Sequence, residues 1–277
     1  MIKKNIGFMQ GRLVNTEKKN AIQYFPDKNW KKEILIAEKN KFLLMEWTIN
    51  IENINKNFIA KNNMKKIDVL FFQKSKLSIK SVTCDFFMQK PYFKKKFTKY
   101  KDQIFKVICN LIKNCEKLNI KYLIFPLVDN SSIENSEEEI TLINEVKKFE
   151  KYLNNSEILF EIDYPPKKIF KFIKNFNIKK FGINYDTGNS ASLGFDIEDE
   201  IKYFKFVKNI HIKDRHYKGE SVRLGCGDFQ FNKFFKLLRK TQYKGNFILQ
   251  TARSKKNWHL AEMKKNLSFL NKFIWKK

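Results

Sequence analysis

The sequence predicts an α/β fold, a single (β/α)8 TIM barrel spanning residues 1–277. Apolar, β-rich runs alternate with amphipathic, lysine-rich stretches, and together they make eight strand–helix units. Glu161, Asp186 and His211 lie 25 residues apart near the ends of successive runs, and Gln250 follows 39 residues later. One βα unit fills about that spacing. An open doubly wound sheet usually carries a GxGxxG phosphate turn after an early strand, and this sequence lacks one.

The predicted strands are apolar runs rich in Ile, Phe, Leu and Val, which suit a buried parallel sheet. In chain order they are Ile6–Leu13, Phe42–Trp47, Ser78–Cys84, Lys121–Pro126, Ile158–Asp163, Lys180–Tyr185, Val207–Lys213 and Asn246–Thr251. Gly245 before the last strand is typical of a helix-to-strand turn.

The predicted helices are stretches in which lysines accompany apolar residues at helical spacing. They are Asn29–Asn40, Phe97–Leu118, Ser136–Leu153, Pro166–Asn175, Ile197–Phe204, Phe231–Thr241 and Asn257–Trp275. The helix after the second strand is poorly defined and is expected around Ile54–Asn62. Pro165 and Pro166 favour a helix start, where a proline's missing N–H is not needed.

Parallel neighbouring strands present their carboxyl ends at one edge of the barrel, which is where the active site of such a barrel lies. Glu161, Asp186 and His211 are therefore expected to converge there. Their oxygen and imidazole donors, without a thiolate, suit one divalent cation. Mn²⁺, Mg²⁺ and Zn²⁺ all fit such a set, and the sequence does not choose among them.

The formal net charge is +27, which raises the question of a nucleic-acid partner. Only five of the 56 basic residues are arginine, so 51 are lysine, and the lysines are spread along the whole chain. Phe, Ile and Asn are also abundant, as biased coding composition would produce. A solvated lysine surface is the preferred interpretation. It predicts no nucleic-acid partner, although the charge favours an anionic substrate.

The four cysteines, Cys84, Cys109, Cys115 and Cys226, form no CxxC pair, which favours reduced thiols. The first residues lack the apolar core of a signal peptide, and no run approaches 18 apolar residues. The chain is therefore expected to be cytoplasmic, with no membrane partner. A homodimer stays open, since many barrels form one and no feature here demonstrates it.

Six segments together resemble the xylose-isomerase-like barrel family of sugar and sugar-phosphate isomerases and epimerases. They are IGFMQGRL, MEWT, FEID, NYDTGNSAS, NIHIKDR and ILQTAR, one each at the first, second and fifth to eighth predicted strands. DTGN followed by HIKD is most similar to the pentulose-phosphate epimerases of that family. The resemblance covers nearly the full chain and implies a metal-dependent enzyme acting on a small sugar or sugar phosphate.

Carried over by position, the resemblance implies that Glu161, Asp186 and His211 are metal ligands. The family's fourth ligand is usually a glutamate on the last strand, and this sequence has Gln250 there. The amide can offer its carbonyl oxygen to a metal but cannot accept a proton at neutral pH. Symmetric epimerisation by two carboxylates therefore lacks one partner. Glu161 is the expected base, and Gln250 is the second expected catalytic residue, at the position of the family's last-strand glutamate.

Polar residues near the strand ends are the expected substrate contacts. They are Asn189, Lys213, Arg215, Arg253 and Glu46, and the cations among them would hold a phosphate or carboxylate. Gln10, Arg12 and Asp85 would bind sugar hydroxyls or satisfy loop backbone. Gly225 and Gly227 offer backbone N–H groups to an oxyanion, or else form a tight turn.

The leading hypothesis is proton abstraction next to a metal-polarised carbonyl, which isomerises or epimerises the sugar. Gln250 motivates a second hypothesis, a metal-dependent lyase, dehydratase or hydrolase acting on a related sugar acid or polyol. A third is a non-catalytic binder of sugar phosphate or polyanion. Apurinic-site endonucleases share the barrel but use a histidine-rich zinc cluster, and three histidines in the whole chain argue against that function.

Overall fold

Eight parallel strands close into a barrel in the computed structural model, which describes residues 5–16, 23–254 and 257–274. The strands are β1 Ile6–Met9, β2 Leu44–Thr48, β3 Ser78–Thr83, β4 Tyr122–Leu127, β5 Glu157–Ile162, β6 Phe181–Asp186, β7 Val207–Ile212, the hairpin strands β8 Asp214–Arg215 and β9 Ser221–Val222, and β10 Asn246–Leu249. Barrel strands follow one another in chain order, and β1 pairs with β10 to close the ring. The predicted (β/α)8 barrel is confirmed.

Helices lie between the strands and cover the outside of the barrel. They are α1 Trp30–Lys39, α2 Lys66–Lys74, α3 Asp85–Gln89, α4 Lys101–Leu118, α5 Ser136–Lys147, α6 Pro166–Ile173, α7 Thr187–Leu193, α8 Ile197–Glu200, α9 Phe231–Leu238 and α10 His259–Ile274. The longest, α4, ends at Asn119 in the left-handed conformation, a common helix stop for asparagine. Within the described ranges no helix is both long and apolar enough to cross a membrane.

Aromatic side chains fill the layer between the strands and the helices. Trp47 on β2 packs against Phe25, Trp30 and Phe58, with ring centroids 5.4–5.5 Å apart. Further along the barrel, Phe160 of β5 packs against aromatic rings on α6 and β6. Each such side chain removes about 150–250 Å² from water when buried. This outer layer holds the helices against the strands and leaves the interior of the barrel to other side chains.

The interior of the barrel carries a group of buried polar residues, although barrel interiors are usually filled by Val, Ile and Leu. Its members are fully or almost fully buried and are joined by hydrogen bonds: Glu46, Ser81, Thr83, Asn184, Asn209 and His211. We call this set the interior polar network. Because buried polar groups must be paired to be tolerated, these residues have to be positioned together.

All eight predicted strands are present, but two end at least two residues early. The first was expected to reach Leu13 and ends at Met9. Gly11 has φ +82°, and a Cβ there would lie 2.8 Å from the carbonyl oxygen of Tyr24, so the chain turns at a residue that only glycine suits. The last was expected to reach Thr251 and ends at Leu249, which puts Gln250 just beyond the strand, at the mouth.

The helix expected around Ile54–Asn62 is wrong, since that segment forms turns and the helix is α2. Asn53 and Asn57 explain the error: their side-chain amides donate to the carbonyls of Phe25 and Thr48 instead of facing solvent on a helix. Helix α7 was not predicted either. It begins because Asp186 accepts a hydrogen bond from the backbone N–H of Asn189, an N-cap.

The remaining helix predictions hold with shorter bounds. The segment expected at Phe97–Leu118 becomes helical at Lys101, after a 3-10 turn, and the one expected at Ser136–Leu153 ends at Lys147. The segment expected at Ile197–Phe204 changes from α to 3-10 geometry after Glu200. The last helix begins at His259 rather than Asn257, and its expected end at Trp275 lies outside the described residues.

Candidate functional site

Three side chains meet at the carboxyl ends of β5, β6 and β7. Glu161, Asp186 and His211 are buried, and one ligand atom from each lies within 4.8 Å of the others. Nδ1 of His211 is 3.0 Å from Oε2 of Glu161 and 3.9 Å from Oδ2 of Asp186. The pairing of Asp186 with His211 in the β6–β7 register sets their positions. The convergence expected from the spacing is therefore present.

Asp186 presents one oxygen to the backbone and one to the site. Its Oδ1 accepts the N–H of Asn189 at 2.9 Å, whereas its buried Oδ2 has no hydrogen-bond partner among the described residues. The ammonium of Lys213 lies 3.9 Å from that oxygen. Burial raises the pKa of Asp186, the nearby Glu161 raises it further, and Lys213 opposes the shift. One acceptor of the cluster is thus left open.

Gln250 supplies a second open acceptor. Its side-chain Nε2 donates to Oε1 of Gln23 at 2.8 Å, which fixes the amide orientation, and its Oε1 is buried without a partner in the described part of the chain. An unsatisfied buried acceptor costs about 1–3 kcal/mol. Oxygen acceptors left open around a carboxylate and an imidazole fit a divalent cation, which would pair with both.

His211 is held from below by Glu46. Its Nε2 is 2.7 Å from Oε1 of Glu46, and both side chains are fully buried. Burial alone would lower the pKa of His211, but the carboxylates of Glu46 and Glu161 raise it well above its usual value. For Glu46, burial opposes ionisation and the contact with His211 lowers the pKa. A carboxylate behind a histidine in this way fixes the ring for a metal on its other nitrogen.

The position of Glu46 does not fit the predicted contact with a substrate. Its carboxylate also accepts hydrogen bonds from Ser81, Thr83 and Asn209 at 2.5–3.0 Å, so both oxygens are occupied inside the barrel. The physical reason is register: Glu46 pairs with Met9 and Ser81, below the strand ends. A glutamate flanked by apolar residues in LMEWT is the sequence signal for such an interior position.

Two asparagines that the sequence analysis did not select complete the support of Glu161. Asn184 donates to Oε2 of Glu161 at 2.9 Å, and the side-chain amide of Asn209 donates to Oδ1 of Asn184 at 2.7 Å. Asn189 donates to the other oxygen of Glu161 at 3.0 Å. The carboxylate is therefore oriented by amides on two sides. The alternation of polar and apolar residues in INYD and VKNIHI was the available signal.

A cavity of about 1010 Å³ opens above the cluster. Four of the predicted contacts line it, Asn189, Lys213, Arg215 and Arg253, together with Glu161 and Gln250. Arg215 donates to the carbonyl of Gly219 and to the side-chain oxygen of Asn189, the latter at 3.3 Å. The cavity therefore combines a polar floor with a cationic wall.

Two guanidinium groups have donors without a partner among the described residues: Arg253, which lines the cavity, and Arg12, which is buried and does not line it. Arg253 donates through Nη2 to Val14, and its buried Nη1 has no hydrogen-bond partner among the described residues. Arg12 donates through Nε to Thr251, and both of its terminal nitrogens are likewise unpaired. Burial and the charge of Arg253 lower the pKa of Arg12 to about 9, so it stays charged at neutral pH. An anion is the ligand that such donors fit.

Of the two alternatives for Gly225 and Gly227, an oxyanion contact or a tight turn, the structure has the turn. Both N–H groups donate to Oδ2 of Asp214, at 2.8 and 3.0 Å, and Phe229 donates to its Oδ1. The loop is therefore wrapped around a carboxylate of its own chain. Its role is structural, and a bound anion there would be repelled.

A family model described as xylose isomerase-like TIM barrel matches residues 95–273. No curated protein matches the sequence significantly. D-allulose 3-epimerase from Methylomonas sp., solved in complex with D-allulose, is similar with a TM-score of 0.72 and 14% identity, over 97% of this chain and 96% of that one.

Two further solved structures have the same fold at low identity. The 3-keto-D-glucoside 4-epimerase YcjR from E. coli matches with a TM-score of 0.68 and 12% identity, over 98% of this chain and 100% of that one. The IOLI protein, described with a binding zinc atom, matches with a TM-score of 0.69 and 14% identity, over 98% and 100%. Two of these three structures are thus described as sugar epimerases, and the third is described with a bound zinc atom.

Proposed function

The chain belongs to the xylose isomerase-like TIM barrel family, and from that premise we propose that it is a metal-dependent isomerase or epimerase of a small sugar or sugar phosphate. The observation that carries the proposal is the pair of open buried acceptors, Oδ2 of Asp186 and Oε1 of Gln250, beside Glu161 and His211. Gln250 and Glu161 line the cavity with the cationic wall, and a ligand atom of Asp186 lies within 4.8 Å of one of Glu161. This is the arrangement of a cation site beneath a polyol or anion site.

In the proposed site Glu161, Asp186, His211 and Gln250 would hold one divalent cation. His211 would use Nδ1, which faces the carboxylates, while Nε2 stays with Glu46. Such a cation polarises a carbonyl and the adjacent hydroxyl, which acidifies the neighbouring C–H. Mn²⁺, Mg²⁺ and Zn²⁺ all fit the donors, and the zinc in one neighbour favours testing that ion early.

Glu161 is the proposed base that takes the proton from the carbon next to the carbonyl. Hydrogen bonds from Asn184 and Asn189 to its two oxygens fix the carboxylate, so little reorganisation is needed when the proton moves. Asn189, Lys213 and Arg215 line the cavity where the sugar hydroxyls would lie. Gln250 would bind the cation through its side-chain carbonyl oxygen and would take no proton.

A measurement of bound metal tests this proposal. We expect about one divalent ion per chain in the wild type after reconstitution. We expect this ion to be lost in His211→Ala, because the substitution removes the ring nitrogen that would bind it. His259→Ala is the matched control, since His259 lies outside the site and contacts Asn15. Elemental analysis gives the stoichiometry, and incubation with ketoses and their phosphates in D₂O gives C–H exchange. Full exchange by metal-free protein would contradict the proposal.

Arg253 lines the cavity with a donor that lacks a partner among the described residues, which supports a phosphorylated or carboxylated substrate. We expect Arg253→Ala to raise the KM for a ketose phosphate about 10- to 100-fold with little change in kcat, since a charged hydrogen bond contributes about 1.5–3 kcal/mol. Steady-state kinetics with the phosphorylated and the neutral sugar measure the effect. Arg239→Ala, on the outer surface, is the control. An equal effect on both sugars would argue against the anion contact.

Gln250 also favours a second candidate, a metal-dependent lyase or dehydratase on a sugar acid or polyol. An amide at this position removes one of two symmetric acid–base carboxylates, and elimination does not require that symmetry. Mass spectrometry of the product separates the candidates. An isomer keeps the mass of the substrate, whereas a dehydration product is lighter by one water.

A further inference from the structure

Asp85 lies at the mouth of the barrel, two residues beyond β3, where it begins α3. Its side chain lines the same cavity as Glu161 and Gln250, yet the residue is only 6% exposed. The function proposed above uses no part of it. A buried carboxyl group on the wall of a substrate cavity therefore still needs an explanation.

The contacts of Asp85 place it on the Gln250 side of the cavity. Its Oδ1 accepts from Nε2 of Gln23 at 2.9 Å, and the same amide accepts from Nε2 of Gln250 at 2.8 Å. One amide group thus separates Asp85 from the residue that replaces the usual glutamate. The carboxyl group lies close to where the resemblance would put a second acid–base group.

The carboxyl group is fixed, and no lysine or arginine among the described residues is in contact with it. Its Oδ2 accepts from Nδ2 of Asn50 at 3.1 Å, so each oxygen is held by one amide donor. Among the described residues, no lysine or arginine forms an ion pair with it at 4.0 Å or less. A carboxyl group held by amides keeps a defined direction and can still exchange a proton.

Its surroundings favour the protonated form at neutral pH. In the metal-free protein, burial is the largest cause that raises the pKa of Asp85 to about 8, and the negative charge of Glu161 is the next. The hydrogen bond from Gln23 and the charges of His211 and Arg12 act in the opposite direction and do not prevail. A buried carboxyl group that retains its proton can act as an acid at such a cavity.

We propose that Asp85 is the second acid–base group of this site and replaces the carboxylate that Gln250 lacks. The inference rests on the proposed function. Glu161, as carboxylate, takes the proton from the carbon of one epimer and leaves an enediolate. Asp85, as the acid, gives its proton to the other face of that carbon and becomes a carboxylate. Exchange of both groups with solvent then restores the starting state.

The reverse reaction makes the inference testable, because each base deprotonates only one epimer. In Asp85→Asn we expect the epimer served by Glu161 to keep its C–H exchange with D₂O without conversion to the other. We expect exchange of the second epimer to fall about 10²- to 10⁴-fold, the usual contribution of a general base. D-fructose and D-allulose, which differ at C3, are the first probe pair. NMR follows the loss of the C3 hydrogen of each sugar in D₂O.

Two further variants sharpen the test. Asp129→Asn removes another carboxylate from the wall of the same cavity and should leave both exchanges unchanged. In Asp85→Asn/Gln250→Glu a carboxylate returns on the β10 side, and we expect at least part of the second exchange to return. Metal content and the urea midpoint of each variant show that the site is still folded.

The outcomes separate the inference from the function on which it rests. If Asp85→Asn exchanged both epimers and interconverted them at the wild-type rates, the role of Asp85 would be overturned. The proposed function would remain intact. Equal loss of both exchanges in that variant would also overturn it, because Asp85 would then act only by holding Gln23 and Asn50 in place. No exchange of either epimer by metal-loaded wild type would remove the proposed function and this inference together.

Discussion

Replacing Glu161 by glutamine is expected to lower C–H exchange of the substrate about 10²- to 10⁴-fold, the usual contribution of a positioned base. The amide has nearly the same shape but cannot accept a proton, and its NH₂ group would face the donor amide of Asn184 or Asn189. The rate of deuterium incorporation from D₂O, measured with saturating substrate and metal, reports the change. KM should change much less than kcat.

Glu157→Gln is the matched control for that experiment. Glu157 lies at the other end of the same strand, where it pairs with Lys121 and Lys208 away from the cavity. We expect its rate to stay within about twofold of wild type, since partly exposed ion pairs contribute little. If Glu161→Gln exchanged substrate at a rate close to this control, Glu161 would not be the base.

Removing Glu46 is expected to lower the free energy of unfolding by about 3–5 kcal/mol, the usual cost of leaving one partner of a buried ion pair alone. In Glu46→Ala the charge of His211 would remain buried without its partner at Nε2, and the donors of Ser81 and Thr83 would lose their acceptor. Urea unfolding of metal-free protein measures the effect. The double variant Glu46→Ala/His211→Ala should lose less than the sum of the single changes.

The pH dependence of the same pair has a defined sign. The pKa of His211 is raised in the folded protein, so its contribution is complete below its unfolded value of 6.5 and is lost as pH rises through the folded value. The pKa of Glu46 is lowered, so its contribution is present above 4.5 and is lost as pH falls through the folded value. The difference in free energy of unfolding between wild type and Glu46→Ala should therefore be largest between pH 4.5 and pH 6.5. A constant difference across pH would contradict an ionic pair.

The barrel and the convergence of three ligands were predictable because both follow from local regularities. Strand and helix patterns repeat at the βα period, and parallel strands then bring Glu161, Asp186 and His211 to one edge. The depth of Glu46 was not predictable in this way. It depends on the register between β2 and its neighbours, and a shift of one residue exchanges the interior and exterior faces of a strand.

The raised pKa of Asp85 could not be predicted from the sequence either. A carboxylate near a strand end is an ordinary helix-start residue, and the sequence analysis left it as a hydroxyl or backbone contact. Its affinity for a proton depends on burial and on Glu161, Gln23 and Arg12, which are far away along the chain. Three-dimensional neighbours of this kind leave no local pattern to recognise.

The contact between Glu46 and His211 joins positions 165 residues apart in the chain. The pairing of Ile6 with Phe247, which closes the barrel, joins positions that are even further apart in the chain. Contacts between such distant positions form late, because the entropy of closing a long loop opposes them until the intervening units have folded. A chain that is still being synthesised, or that has lost its last strand, therefore lacks Gln250 and has an incomplete ligand set. Metal uptake during refolding would report closure of the barrel directly.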